Sequence, residues 1–157
     1  KVLCGKFRKG HFEGVLNVIN RFLEIINPKN ILLGVKDFQQ LHLISHHIKK
    51  RKIKTKVISC KTIRDKNGLA YSTRNKLLNK KQINIASKII NYLIKNKKKV
   101  FKSPGQVKKI LINFGVKKID YLEKLNLKSL KKTNNPNKNT KVFIAYYLGK
   151  IRLIDNI

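Results

Sequence analysis

Two short apolar runs, Ile31-Leu32-Leu33 and Lys56-Val57-Ile58-Ser59-Cys60, bracket one amphipathic stretch in which Leu41, Ile44 and Ile48 recur at helical spacing. This arrangement constrains the chain more than any other feature. Two strands joined through a helix pair in parallel, because an antiparallel pair needs only a tight turn. Ahead of the first run, Gly14 to Ile26 place Val15, Val18, Ile19, Phe22, Leu23 and Ile26 on one helical stripe, and Asn27-Pro28-Lys29-Asn30 ends it. Helix, strand, helix, strand is the α/β order of a parallel sheet with crossover helices. A continuous apolar run such as Ile31-Leu32-Leu33 is expected of a strand buried on both faces. Asp37 can cap the following helix, and Lys49-Lys50-Arg51-Lys52 suits the negative end of its dipole.

The rhythm changes after Cys60. Thr62 to Asn75 reads as a polar loop, and Gln82 to Lys97 as an amphipathic helix with Ile85, Ile89, Tyr92 and Leu93 inward. Ser103-Pro104 predicts a helix start, with a hydroxyl cap and proline at the first helical position. That helix ends near Phe114-Gly115. Three apolar stretches follow, Ile119 to Leu125, Val142 to Tyr147 and Ile151 to Ile154; the turn Leu148-Gly149-Lys150 pairs the last two as a hairpin. The polar, Asn-rich segment from Lys131 to Thr140 is a loop. The expected division is therefore residues 1–60, the tail of an α/β parallel sheet, and residues 61–157, a small α+β domain.

Two segments stand out from generic scaffold. Gly34-Val35-Lys36-Asp37-Phe38-Gln39-Gln40 lies where a strand ends and a helix begins, the place where open α/β sheets bind ligands. Free amides at a helix start attract phosphate, Lys36 adds a point charge, and Asp37 can accept from ribose hydroxyls. The same residues also suit a plain cap and a solvated charge. Gly68-Leu69-Ala70-Tyr71-Ser72-Thr73-Arg74-Asn75 sets two hydroxyls beside an arginine, a fit for a transferring phosphoryl or adenylyl group, and equally for a solvated turn. His42 and His46 have the i, i+4 spacing of metal ligands, but no third ligand is evident and no metal site is expected. His11 precedes a helix and reads as a packing or capping residue.

The charge is extreme: 38 Lys and Arg stand against 7 Asp and Glu, a net charge of +31. Such a balance speaks to solubility and to non-specific attraction of polyanions. The lysines are spread along the whole chain together with excess Asn and Ile, which is the mark of AT-rich coding rather than of a specific nucleic-acid site. Cys4 and Cys60 have neither metal spacing nor a disulfide framework and read as reduced thiols of a cytoplasmic protein. No apolar run approaches the roughly 20 residues of a membrane span, and no secretory leader is read. The absence of Met is expected of a fragment or a truncated reading.

Taken in order, four segments resemble the pantothenate synthetases, the pantoate–β-alanine ligases. Arg8-Lys9-Gly10-His11-Phe12-Glu13-Gly14-Val15 is similar to RPGHFxGV, and Gly34 to Leu41 to GEKDxQQL. Ile63-Arg64 through Gly68-Leu69-Ala70-Tyr71-Ser72-Thr73-Arg74-Asn75 resembles R-x-x-DGLAxSSRN, and Leu148 to Asn156 resembles LGxxRLIDN. Departures are Lys9 for proline, Val35 for an acidic or polar residue, Asn67 for aspartate and Thr73 for serine. The resemblance implies the tail of a Rossmann-like nucleotidyltransferase sheet followed by a lid-like domain. It also implies an AMP-forming ligase that uses ATP with Mg2+, a pantoyl-adenylate intermediate, and a homodimeric full-length protein. Carried over, Gly34, Val35, Lys36 and Asp37 hold ribose and phosphates and Gln40 holds pantoate. Ile63 and Tyr71 line the adenine side, Ser72, Thr73 and Arg74 clamp phosphates, and Arg8 lies near the substrates. No proton-donating residue is expected here, since the family's HxGH segment has no match. The chain alone is then expected to be weakly stable and inactive, with an open sheet edge. A basic nucleic-acid binder and an inert relic of the ligase are the competing readings.

Overall fold

The computed structural model describes residues 2–157. They form two compact units, the first ending at Thr62 and the second running Ile63–Ile157.

The first unit opens with a short helix α1 (Cys4–Phe7), then α2 (His11–Ile26), β1 (Asn30–Gly34), a 3-10 turn (Val35–Asp37), α3 (Phe38–Lys50) and β2 (Lys56–Cys60). α2 starts ahead of the expected Gly14, after Gly10 in the left-handed region, and Asn27 ends it at φ 45 with its amide on the Leu23 carbonyl. β1 and β2 pair in parallel from Asn30↔Lys56 to Gly34↔Cys60, with α3 as the crossover. Thr55 Oγ1 donates to the Pro28 carbonyl at 2.7 Å and levels the two strand entries. Leu23, Ile44 and Ile48 form the core, with Val15, Leu16, Ile19, Ile31, Leu33, Ile53 and Val57 packed around them.

Two expectations are corrected here. α2 does not bury the whole proposed stripe: Leu16 turns inward, while Val18 (55% exposed), Phe22 (54%) and Ile26 (64%) face out. The apolar face of the helix is wider than the core it meets, so periodicity alone could not choose which part of it is buried. β1 is not buried on both faces either; it alternates, with Leu32 66% exposed beside Ile58 at 44%. Among the described residues this sheet has two strands, and the core lies on the side of Ile31, Leu33 and Val57.

In the second unit a 3-10 helix (Thr73–Leu77) precedes α4 (Lys80–Lys95), α5 (Lys97–Lys102) and α6 (Pro104–Asn113). β3 (Lys118–Asn126), β4 (Thr140–Leu148) and β5 (Ile151–Asn156) make an antiparallel sheet with β4 in the middle. α4 begins before the expected Gln82 because Asn79 and Gln82 form a reciprocal cap, at 2.9 and 3.0 Å. Its buried face is Ala86, Ile89, Ile90 and Leu93, with Ile85 and Tyr92 at the margin. α5, in the lysine-rich stretch, has no counterpart among the expected elements, yet it buries Val100 and Phe101. Proline stands at the start of α6 as expected, but the Ser103 hydroxyl makes no capping bond. The β4–β5 register closes at Leu148↔Ile151, so Gly149-Lys150 is the whole turn, with Gly149 at φ 60. Glycine first, followed by a residue of ordinary φ, is the pattern of a tight hairpin turn whose twist matches its strands.

The two caps give a paired prediction. Asn79→Ala costs about 1 kcal/mol of stability in equilibrium urea unfolding, whereas Ser103→Ala, which removes no side-chain bond, costs only a few tenths.

Candidate functional site

Each unit carries one of the two segments singled out by the sequence, and each is described by itself. In the first unit, Gly34 is the last residue of β1, level with Cys60 of β2. A Cβ placed on Gly34 would meet nothing within 4 Å, so its backbone lies open to a close approach. Val35, Lys36 and Asp37 then form the 3-10 turn that leads into α3. Asp37 sits at the cap position of α3 but makes no side-chain capping bond, contrary to the expected cap; its carboxylate stays exposed. The two neighbouring glutamines have different surroundings. Gln39 Nε2 donates to the Val2 carbonyl at 2.8 Å and Oε1 accepts from Gly5 N at 3.4 Å, which ties α1 to the start of α3. Gln40 lies half-buried in the first turn of α3.

Two histidines of α3 have neighbours within the first unit. His47 Nε2 lies 2.6 Å from Asn20 Oδ1, and His42 lies beside the Phe38 ring. Burial first, then the charges of Arg51, His46 and Lys50, hold His47 below its ordinary value of 6.5. Arg8 Nη1 donates to His11 Nε2 at 2.8 Å. No group of three or more His, Cys, Asp or Glu able to hold a metal comes together among the described residues.

In the second unit, the segment expected to be a plain polar loop is an ordered hairpin. Arg64 and Ala70 form an antiparallel bridge, and Tyr71 N donates to the Ile63 carbonyl at 3.1 Å. Asp65 Oδ1 accepts from the amides of Asn67 (2.8 Å) and Leu69 (2.9 Å), and Gly68 takes φ 82 to close the turn. Across the pleat, Ala70 is buried while Ile63 (73%) and Tyr71 (64%) are exposed, an apolar pair held outward. Ser72 caps the 3-10 helix by accepting from Arg74 N at 3.3 Å; Thr73 is exposed beside it, and Arg74 Nη1 donates to the Arg152 carbonyl at 3.1 Å.

What fixes this loop is Arg64, which sequence reasoning quoted only as part of a motif. Its guanidinium forks onto Asp155 at 2.6 and 2.9 Å and also donates to the carbonyls of Gly68 and Asn156. Asp155 is buried, and its Oδ1 also accepts the Asn156 amide at 2.7 Å. Lys141 Nζ donates to Asn156 Oδ1 at 2.7 Å; burial, then Lys97 and Arg64, lowers its pKa, with Asp155 acting the other way. The signal that could have found Asp155 is scarcity. With 7 acidic residues in the chain, each one kept is a candidate for a specific partner. All four in the second unit have one: Asp65 its amides, Asp120 Arg152, Glu123 Lys132 and Asp155 Arg64.

The family model for pantoate-beta-alanine ligase matches residues 1–157. A pantothenate synthetase of Francisella tularensis subsp. mediasiatica is 39% identical over 155 residues, 99% of this chain and 53% of that protein. The crystal structure of a Francisella tularensis pantoate-beta-alanine ligase, complexed with beta-gamma ATP and beta-alanine, is similar at TM-score 0.82 and 38% identity, over 99% of this chain and 53% of that one. A pantothenate synthetase from Thermus thermophilus shares the fold at TM-score 0.87 and 24% identity, over 99% of this chain and 59% of that one. The chain thus spans about half the length of the curated relatives it matches.

Two outcomes follow from the geometry. Arg64→Ala strands the buried Asp155 carboxylate and lowers stability by roughly 3–5 kcal/mol in chemical denaturation, while Asp155→Asn, which keeps an acceptor, costs less. The lowered pKa of His47 means that the unfolded chain binds its proton more readily. Its contribution to stability is therefore present above 6.5 and is lost as pH falls through the lowered value. Urea midpoints compared at about pH 8 and about pH 5 will show this loss, and His47→Gln will remove it.

Proposed function

The chain belongs to the pantoate-beta-alanine ligase family, and we propose that it supplies ATP and pantoate contacts to an AMP-forming ligase joining pantoate to β-alanine. The observation that carries this is the pinned hairpin of the second unit, which holds Ile63 and Tyr71 outward and leads directly into Ser72, Thr73 and Arg74. The ATP-analogue and β-alanine complex of the Francisella ligase supports the same substrates here.

The reaction has two displacements. A pantoate carboxylate oxygen attacks the α-phosphorus of ATP, the bond to the bridging oxygen breaks, and pyrophosphate leaves. The β-alanine amine then attacks the acyl carbon of pantoyl adenylate, loses a proton and expels AMP. Negative charge gathers on the phosphate oxygens in the first step, so fixed donors there lower the barrier. Lys36 and the Arg74 guanidinium are the cationic donors, Ser72 and Thr73 the hydroxyl donors. The open backbone at Gly34 admits the nucleotide beside Val35, and Asp37 accepts from its ribose. Ile63 and Tyr71 cover the adenine, and Gln40 hydrogen-bonds pantoate. These residues bind and orient; none of them is assigned a proton transfer. Mg2+ would accompany the triphosphate and offset its charge.

The first unit is the tail of a Rossmann-like sheet and the second a small α+β domain with nucleotide contacts of its own. The enzyme works in the cytoplasm as a homodimer. Cysteine usage, with Cys4 and Cys60 both free, fits a reducing compartment. The exposed Val18, Phe22 and Ile25 face of α2 suits cover by an apolar partner surface.

Pantothenate formation dependent on ATP and β-alanine, measured at low ionic strength in the ligase carrying this chain, tests the reading. Lys36→Ala is expected to lower kcat/KM for ATP by roughly a hundred-fold or more. An unchanged rate in that variant would remove Lys36 from the phosphates. A well-folded wild-type protein without activity would leave the inert relic as the better description.

A further inference from the structure

β3 and β4 do not pair regularly. Ile119 lies opposite Tyr146 and Tyr121 opposite Ala145, so Asp120 is the extra residue of a β-bulge. Bulges re-aim a side chain that a regular strand would point elsewhere. Here Asp120 Oδ2 accepts from Arg152 Nε at 2.8 Å, and the contact reaches across the middle strand from β3 to β5. Both side chains are well buried, Asp120 at 2% exposure and Arg152 at 13%. The other cation near Asp120, Lys118, stands 3.5 Å from Oδ1 on a side chain that is 66% exposed, and Oδ1 makes no hydrogen bond. Arg152 is therefore the partner that holds the carboxylate.

Arg152 has a second task. Its backbone carbonyl accepts from Arg74 Nη1 at 3.1 Å. Among the described residues β5 pairs only with β4, so its outer edge is the side free to receive the 3-10 helix that carries Arg74. An edge strand frays more readily than a central one unless something ties it down. A guanidinium is a rigid fork, so the anchoring of one N–H fixes where the remaining donors point. The direction of Arg74 is thus no better defined than the position of the Arg152 carbonyl.

We propose that Asp120 is a positioning residue: through Arg152 it fixes the edge of β5 and so aims the Arg74 guanidinium at the phosphates. The proposal rests on the reading of Arg74 as a phosphate donor. A purely structural Asp120 would stabilise the sheet without any special relation to Arg74, and the two roles separate in a double-mutant cycle.

The assay is pantoate-dependent exchange of labelled pyrophosphate into ATP, which reports the first displacement alone, run on the ligase carrying this chain. Asp120→Ala is expected to lower kcat/KM for ATP roughly ten- to hundred-fold, the scale of a misplaced contact. Asp120→Asn, which keeps an acceptor for Nε, recovers most of that loss. In an Arg74→Ala background the Asp120→Ala change adds less than about two-fold, because the group it aims is gone. The combination Asp120→Leu with Arg152→Met replaces the pair by apolar groups that preserve packing, and keeps the test open if Asp120→Ala does not fold. It should show the same loss for ATP, again abolished by Arg74→Ala. A full multiplicative effect of Asp120→Ala on top of Arg74→Ala overturns the proposal, as do unchanged ATP kinetics in a folded Asp120 variant. If Arg74→Ala itself leaves exchange untouched, the phosphate reading of Arg74 falls first and this proposal with it.

Discussion

The arrangement of the second unit depends on one buried fork, Arg64 on Asp155. A carboxylate taken out of water costs several kcal/mol unless it is paired and its lone pairs are filled. Asp155 meets both conditions through two guanidinium contacts and the Asn156 amide. The fork joins the hairpin after Thr62 to β5, so one interaction closes the loop against the sheet. The outward display of Ile63 and Tyr71 and the placing of Ser72 and Arg74 both follow from where Arg64 is held. The neighbouring Tyr146 phenol, buried and facing that negative charge, is pushed well above its ordinary range and stays neutral.

Much of the scaffold was legible because its signals were local and redundant. The parallel pairing of β1 with β2 followed from two short runs around an amphipathic helix, and the β4–β5 hairpin from three residues of turn. Failures occurred where the deciding physics was not local. α2 carries one apolar face wider than its core contact, and tertiary packing selects Leu16 and Leu23 over Val18 and Phe22. The exposed face of β1, that of Leu32 beside Ile58, is the one that the α2–α3 core does not cover. α5 was hidden because lysines surround its two core residues, Val100 and Phe101. For the site, the strand-end segment and the hydroxyl–arginine loop were read from residue chemistry, whereas Arg64, Asp155 and Asp120 act across long sequence separations that spacing rules do not see.

The excess of positive charge has a structural counterpart. With 7 acidic residues against 38 Lys and Arg, most of the positive charge is left uncancelled even though every acidic side chain of the second unit has a partner. A field of that sign raises the local concentration of anions, and it does so without selecting among them.

The Arg64–Asp155 contact joins residues 91 apart in sequence. Chain closure over that distance costs about 2 kcal/mol more in entropy than closure of a ten-residue loop. A two-residue hairpin such as β4–β5 forms within microseconds and needs no such closure. On this argument the helices and the hairpin sheet are expected to gather first, and the loop after Thr62 to close onto β5 late.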